Sequence, residues 1–436
     1  MMQVRRFAFV ISTCVVASAL ADLHADAGPI QTVFVIAMEN TNWTQNANQF
    51  SGGQQQIFNN PTAPFLNNLV NGTLATMVNG QTIASQTAYA SAYHNVLATP
   101  TGAGAPSIHP SEPNYIWSEA GSNLGVTTDN TPFQSPNGTN QTTTDHLSGY
   151  LQTAGKTWKS YQEGIDLAGS GSSKTNTVLP QSQWTVPLNN IAGTSASYTN
   201  PYNGSHQYDY ATKHCPTCFF TDTNGGNNTT SSNPLSSHYA PLEQLQTDLT
   251  NNTVAQYNWI TPDQFNDMHS NLTGSTFTYH SNLLAGGVQT FTSGAAKIAQ
   301  GDNFLSMIIP MIMASQAYQN DGAIILWWDE SEPDGTGNTN DFNHTIPEIV
   351  ISPDAHPNVG GKPYNSTINF THSADLRTME EIFGVGGGTF LRDAANGPDL
   401  SDLFAAGSIV PEPSTWGTLL SGLAMIGIAV RRRARR

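Results

Sequence analysis

The chain has 436 residues, enough for one large domain or two and for an ample core. Only 11% of them are charged, and the formal charge is -16, so much of the polar surface is Asn, Thr, Ser, Gln and Gly. Arg5, Arg6, Arg431, Arg432, Arg433, Arg435 and Arg436 fall in the terminal segments. The body that remains is acidic enough to repel nucleic acid, and no basic patch or RNA-type motif offsets this.

The chain opens as a secretory signal, predicted over residues 1–27. Arg5 and Arg6 give the charged region, Phe7 to Val16 the apolar region, and Ala19-Leu20-Ala21 a small-residue cleavage site, with Ala25-Asp26-Ala27 as a second. Gln31 to Met38 is β-branched and apolar and predicts a buried strand. It stops at Glu39-Asn40, two oxygen donors suited either to a hard cation at a strand end or to capping a helix. Pro64 to Leu69 predicts a short helix. In Ser107 to Tyr115, Pro110 and Pro113 bracket Ser111. A hydroxyl on a stiff loop near His109 suits a nucleophile.

Residues 168–206 and 224–237 are polar and predict surface loops. Between them, Lys213-His214 joins one of the body's few cations to a histidine. Cys14 leaves with the signal, so Cys215 and Cys218 remain, spaced C-P-T-C. In an exported protein this predicts a local disulfide, with a redox site or a zinc pair as alternatives. Pro241 to Leu249 predicts a helix and Ala255 to Ile260 a strand. That strand leads to Asp263 and to Asn266-Asp267-Met268-His269, where Asp267 and His269 can face one ion.

Asn303 to Gln319 is amphipathic and predicts a helix feeding the strand Ala323 to Trp328, whose unbroken apolar run points to burial on both faces. Asp329 and Glu330 stand where it stops, the position at which open α/β sheets bind ligands. Ile346 to Ile351 predicts a further strand, and Ala374 to Phe383 a helix capped by Ser373. Apolar runs alternating with helices predict an α/β fold, doubly wound around a mostly parallel sheet. No G-x-S-x-G elbow, Walker loop or Rossmann fingerprint is present.

Beyond residue 400 the sequence reads as a linker and sorting segment, residues 401–436. Pro411-Glu412-Pro413 precedes an apolar stretch, Trp416 to Val430, closed by the arginine cluster. About 15 apolar or small residues is marginal for a membrane span, and the arginines would stay on the cytoplasmic side. The pattern resembles the PEP-CTERM signal. That resemblance implies processing by an exosortase-type enzyme after transient anchoring in the inner membrane. The destination it implies is the periplasm, the outer envelope or an extracellular matrix.

Taken together and in order, several blocks resemble the bacterial phosphoesterase family of acid phosphatases and phospholipases C within the alkaline phosphatase superfamily. They are Met38-Glu39-Asn40, His109 to Tyr115, Tyr161 to Gly164, Lys213-His214, Trp259 to His269, Trp328 to Ser331, Asn343 to Pro347 and Thr371 to Glu380. The resemblance implies a phosphoesterase domain over residues 28–400. Glu39, Asn40, Asp329 and Glu330 would bind a divalent metal ion, Mg, Ca, Mn or Zn, and Ser111 would be the nucleophile. His109, His214 and His269 would serve the chemistry, His344 and His372 would be further metal ligands, and Lys213, Asn114 and Asp267 would hold substrate.

The implied substrate is a phosphorylated small molecule or a phospholipid headgroup. A monoesterase working through phosphoserine, a phospholipase C-type diesterase and a non-catalytic surface or matrix-binding protein are the competing readings. Glu112 beside the nucleophile and Cys-Pro-Thr-Cys after His214 depart from the family pattern.

Overall fold

The computed structural model describes residues 30–44, 56–95, 108–133, 137–273, 276–279, 290–292, 296–332, 344–386 and 389–409. The predicted signal, the Asp334-Gly335 loop, Asn343 and the predicted C-terminal apolar segment lie outside them. No helix among the described residues is long and apolar enough to cross a membrane.

Eight strands form one sheet: β1 (Thr32–Met38), β2 (Thr87–Ala90), β3 (Trp158–Gln162), β4 (Tyr239–Pro241), β5 (Tyr257–Thr261), β6 (Gly322–Trp328), β7 (Glu348–Ile351) and β8 (Tyr364–Ser366). Their spatial order is β8-β2-β7-β6-β1-β5-β3-β4. All neighbours run parallel except at β7, which is antiparallel to both β6 and β2. The expected mostly parallel α/β sheet is therefore present, with one reversed strand inside it.

The centre of the sheet is its most apolar part. β6 and β5 are buried along their whole length, and β1 from Val33 onward. A strand covered on both faces needs apolar residues at every position, which explains the unbroken runs in the sequence.

Seven helices are described: α1 (Pro64–Val70), α2 (Ser111–Ala120), α3 (Leu147–Thr153), α4 (Leu245–Asn251), α5 (Ala296–Met313), α6 (Gln316–Gln319) and α7 (His372–Phe383). Helices α2, α3 and α7 pack on one another, while α5 packs with α1, α4 and α6. Val35, Ile325 and Trp327 line a small void with Ser118 of α2 and Leu376 and Met379 of α7. Met38, at an odd offset from Val35, instead lies against Gly301 of α5. Side chains alternate across a strand, so the two helix groups cover opposite faces.

Several sequence expectations change in detail. The helix expected from Asn303 to Gln319 starts earlier, at Ala296, and breaks after Met313, where the Ser315 hydroxyl caps α6 by accepting from the Tyr318 amide. Thr371, not Ser373, precedes α7. Ser373 sits inside the first turn, accepts from the Trp117 indole and donates to Asp393.

The excursion expected at residues 168–206 is more than surface. It contributes one arm of a ribbon, Ile191–Thr194 against Gln207–Tyr210. It also sends Asn200 and Asn203 inward to Glu163 and Asn266. The two cysteines expected to pair are brought together: a single turn opened by Pro216 places the buried Cys215 and Cys218 sulfurs 2.6 Å apart.

Candidate active site

Parallel strands place all their carboxyl ends on one edge of the sheet. β1 and β6 are adjacent and in register, with Met38 opposite Trp328, so Glu39-Asn40 and Asp329-Glu330 emerge side by side. The Asn40 amide donates to Asp329 Oδ1 at 3.0 Å, and Asn40 Nδ2 donates to Glu330 Oε1 at 3.1 Å. On the other flank of β1, the turn after β5 returns to the same edge. The Glu39 amide donates to the Asp267 carbonyl, and Asp267 Oδ1 accepts from the His269 amide.

Ser111 was expected on a stiff loop; it is instead the first residue of α2. Pro113 is compatible with that place, because a first-turn amide has no partner within the helix. The Ser111 hydroxyl lies 3.1 Å from Glu39 Oε2, 3.3 Å from Asn40 Oδ1 and 3.5 Å from Glu330 Oε1, and is buried. A helix N-terminus favours negative charge, so the hydroxyl sits where a developing oxyanion or a phosphoryl group is stabilised.

One helical turn on, the Tyr115 hydroxyl donates to Glu39 Oε1 at 2.5 Å. The Tyr115 ring stacks on His214, whose Nε2 is 3.3 Å from the same oxygen. His269 Nδ1 stands 3.4 Å from Glu39 Oε2, and His109 Nδ1 2.8 Å from Glu330 Oε2. Asn114 Nδ2 donates to the Ile108 carbonyl and to Glu330 Oε2. Lys213 Nζ pairs at 2.5 Å with Asp129.

The electrostatics follow from this crowding. Burial would raise the Glu39 carboxyl, but His214, His269 and Lys213 outweigh it and hold it at about 2. The Glu39 hydrogen bond in turn lifts His269 to about 9, against its burial. Burial depresses His214 to about 4, so its ring is neutral near pH 7. Asp329 and Asp267 are pushed well above the usual carboxylate range, first by burial and then by the charge of Glu39. Glu330 moves up for the same first reason.

Among the described residues, no three of His, Cys, Asp and Glu are gathered as a ready-made cage for a metal ion. The donor set nevertheless fits a hard divalent cation. Asp329 Oδ2, Asp267 Oδ2, Asn114 Oδ1 and His214 Nε2 are buried without a hydrogen-bond partner, and the carboxylates are drawn together against their mutual repulsion.

His372 has a different place from the ligand role expected of it. Its Nε2 donates to the Asp329 carbonyl at 2.5 Å, and its Nδ1 accepts from the Trp327 indole at 2.9 Å and meets the Tyr93 hydroxyl at 2.8 Å. Burial holds the ring near 3 and therefore neutral. Both nitrogens are engaged, so the ring props the backbone of Asp329 from below. His344 is buried beside His94, whose ring hydrogen-bonds to the His344 backbone.

Two blocks that looked functional in sequence act as a clamp. Glu163 accepts from the Asp263 amide and from the side-chain amides of Asn200 and Asn266. Tyr115 and Asp129 were missed as site residues. Tyr115 is legible as Ser111's neighbour at i+4 once that segment is known to be helical; nothing in the sequence marks Asp129.

The model of the phosphoesterase family matches residues 30–284. The chain belongs to the phosphoesterase family. This phosphoesterase is 24% identical over 352 residues to the phosphatidylinositol-3-phosphatase of Mycobacterium tuberculosis, covering 80% of this chain and 79% of that one. With the family match, this makes it a phosphoric ester hydrolase.

Among solved structures it is similar to a protein in the alkaline phosphatase superfamily from Vibrio parahaemolyticus. That pair shares 12% identity, 87% of this chain, 71% of that one and a TM-score of 0.41. It is also similar to the lipoteichoic acid synthase LtaP from Listeria monocytogenes, with 10% identity, 84% and 75% coverage and a TM-score of 0.35. A PEP-CTERM sorting motif matches residues 410–433. The phosphoesterase match ends before Asp329 and Glu330; the fold, through the β1–β6 pairing, brings them to the matched Glu39, Asn40 and Ser111.

Proposed function

We propose that the chain is an exported, metal-dependent phosphomonoesterase of acid phosphatase type that works through a phosphoserine at Ser111. Phosphoinositides are among its candidate substrates. The observation that carries this reading is the Ser111 hydroxyl at the start of α2, hydrogen-bonded to Glu39 and Asn40 beside Asp329 and Glu330. The similarity to a phosphatidylinositol-3-phosphatase supports the substrate class. The sorting motif supports export and processing by an exosortase-type enzyme.

Glu39, Asn40, Asp329 and Glu330 would hold the divalent ion, with Asp267 and His214 close by. Such an ion supplies charge stabilisation for the serine alkoxide and the phosphoryl oxygens. The residues do the rest. Ser111 Oγ attacks phosphorus, its proton passing toward Glu39, and the P–O bond to the leaving group breaks. His109, at the partly open edge of the site, gives a proton to the leaving oxygen. Water then attacks the phosphoserine and gives a proton to the now neutral His109, the bond from Ser111 Oγ to phosphorus breaks, and Ser111 regains its proton from Glu39 as phosphate leaves. His269, protonated near neutral pH, and Lys213 offset the charge of a dianion.

The test is hydrolysis of p-nitrophenyl phosphate, bis-p-nitrophenyl phosphate and p-nitrophenyl phosphorylcholine by the purified chain, with and without EDTA, beside Ser111→Ala. Monoester turnover lost in EDTA and at least a thousandfold in the variant is the expected result, the loss of a nucleophile costing on the order of 10³ or more. Preference for the phosphorylcholine diester would replace this reading with a phospholipase, and turnover persisting in Ser111→Ala would remove the phosphoserine.

A further inference from the structure

Asp129 has no role in the scheme above, yet it holds two donors beside Ser111. Its Oδ1 accepts from the Glu112 amide at 3.1 Å, and its Oδ2 accepts from Lys213 Nζ. The Glu112 amide belongs to the first turn of α2, directly after Ser111, and has no acceptor within the helix. Lys213 feels the charge of Glu39 and Asp329 as well as that of Asp129. A first-turn helix amide and a lysine ammonium are the donors that recognise a phosphoryl oxygen.

We propose that Asp129 is a built-in competitor for the phosphoryl group: its carboxylate holds, in the free enzyme, the Glu112 amide and the Lys213 ammonium that bound phosphate would use. This rests on the phosphomonoesterase reading and deepens it. Each ligand must first open the same Asp129 contact, so each loses affinity by the same factor, the fraction of molecules in which the contact is open. The physical gain is in turnover. A site of buried oxygens, a cation and a helix N-terminus grips free phosphate tightly, and a carboxylate that returns to the donors hastens product release.

Asp129 can swing outward, because its side chain is 37% exposed while that of Lys213 is 15% exposed, and the incoming phosphoryl oxygens replace it as acceptor for both donors.

The experiment uses the full chain, purified, and its Asp129→Asn and Asp129→Glu variants. Inhibition by inorganic phosphate and orthovanadate is measured beside KM for p-nitrophenyl phosphate. Asparagine keeps the shape and removes the charge, so both inhibition constants and KM fall together, by roughly fivefold, equivalent to about 1 kcal/mol. Asp129→Glu keeps the competitor and stays within about twofold of the parent, and a melting curve matching the parent's shows that Asp129→Asn is folded.

Constants that stay unchanged or rise in Asp129→Asn would overturn the inference, since Asp129 would then merely hold Lys213 in place. A factor that differs from ligand to ligand would overturn it too. A parent chain that binds neither phosphate nor vanadate overturns the phosphatase reading and this inference with it. Binding by the parent that Asp129→Asn does not tighten overturns this inference alone.

Discussion

Replacing His372 by leucine separates a prop from a metal ligand. His372→Leu keeps most of the ring's volume at the start of α7 and removes its two polar atoms. The Asp329 carbonyl then loses its donor and the Trp327 indole its acceptor, while Tyr93 keeps its hydrogen bond to Asp375. Each buried polar group left unsatisfied costs about 1–3 kcal/mol, so the pair costs about 2–6 kcal/mol. In a chain of this size that is a fall in Tm of about 5 °C. The assay is calorimetry of parent and variant, each run in EDTA and with a saturating divalent ion. A prop gives the same fall in both conditions, accompanied by lower kcat as Asp329 shifts. A metal-free loss below about 1 kcal/mol, with the deficit appearing only when metal is present, would refute the prop and restore His372 as a ligand.

His146 gives a pH prediction away from the site. Its burial lowers the ring's affinity for a proton, but Asp222 and Glu119, 3.0 Å from its two nitrogens, outweigh this and raise it above the usual 6.5. The folded value lies above the unfolded one, so the stabilisation is complete below about 6.5 and fades as pH climbs through the folded value. The stability gap between parent and His146→Gln, measured by urea unfolding, should be constant below pH 6 and shrink above 7; a gap that widens there sinks the reasoning. Asp302, buried on α5, accepts from the amides of Phe65 and Leu66 at 2.8 and 2.9 Å and from the Tyr279 hydroxyl. Asp302→Ala strands two buried amides, and guanidinium unfolding should show a loss of about 2–6 kcal/mol, with Asp302→Asn losing less because it keeps an acceptor.

The central strands were legible because both their faces are covered. Thr32–Met38 and Gly322–Trp328 leave no solvent side, so their apolar runs announce a strand without reference to any partner. The carboxylates at their ends were legible for a related reason: a strand that stops at Glu39-Asn40 or Asp329-Glu330 must deliver them to the edge where α/β sheets bind ligands. Lys213, His214 and His269 were visible as chemistry-bearing residues but not as neighbours of Glu39. Their distances depend on two separate turns folding back to the same edge, and no local pattern encodes that.

The sequence by itself determined the strand runs, the oxygen donors at their ends, the serine between two prolines and the sorting motif that follows the body, because each is a local pattern of residue types. Only the tertiary structure decided that Ser111 begins a helix, that β7 runs backwards, that His372 props Asp329 and that Asp129 faces Lys213. Those are choices among partners distant in the chain. Hydrogen-bond donors and acceptors meet wherever packing closes the sheet, and that geometry is a property of the whole core rather than of any segment of it.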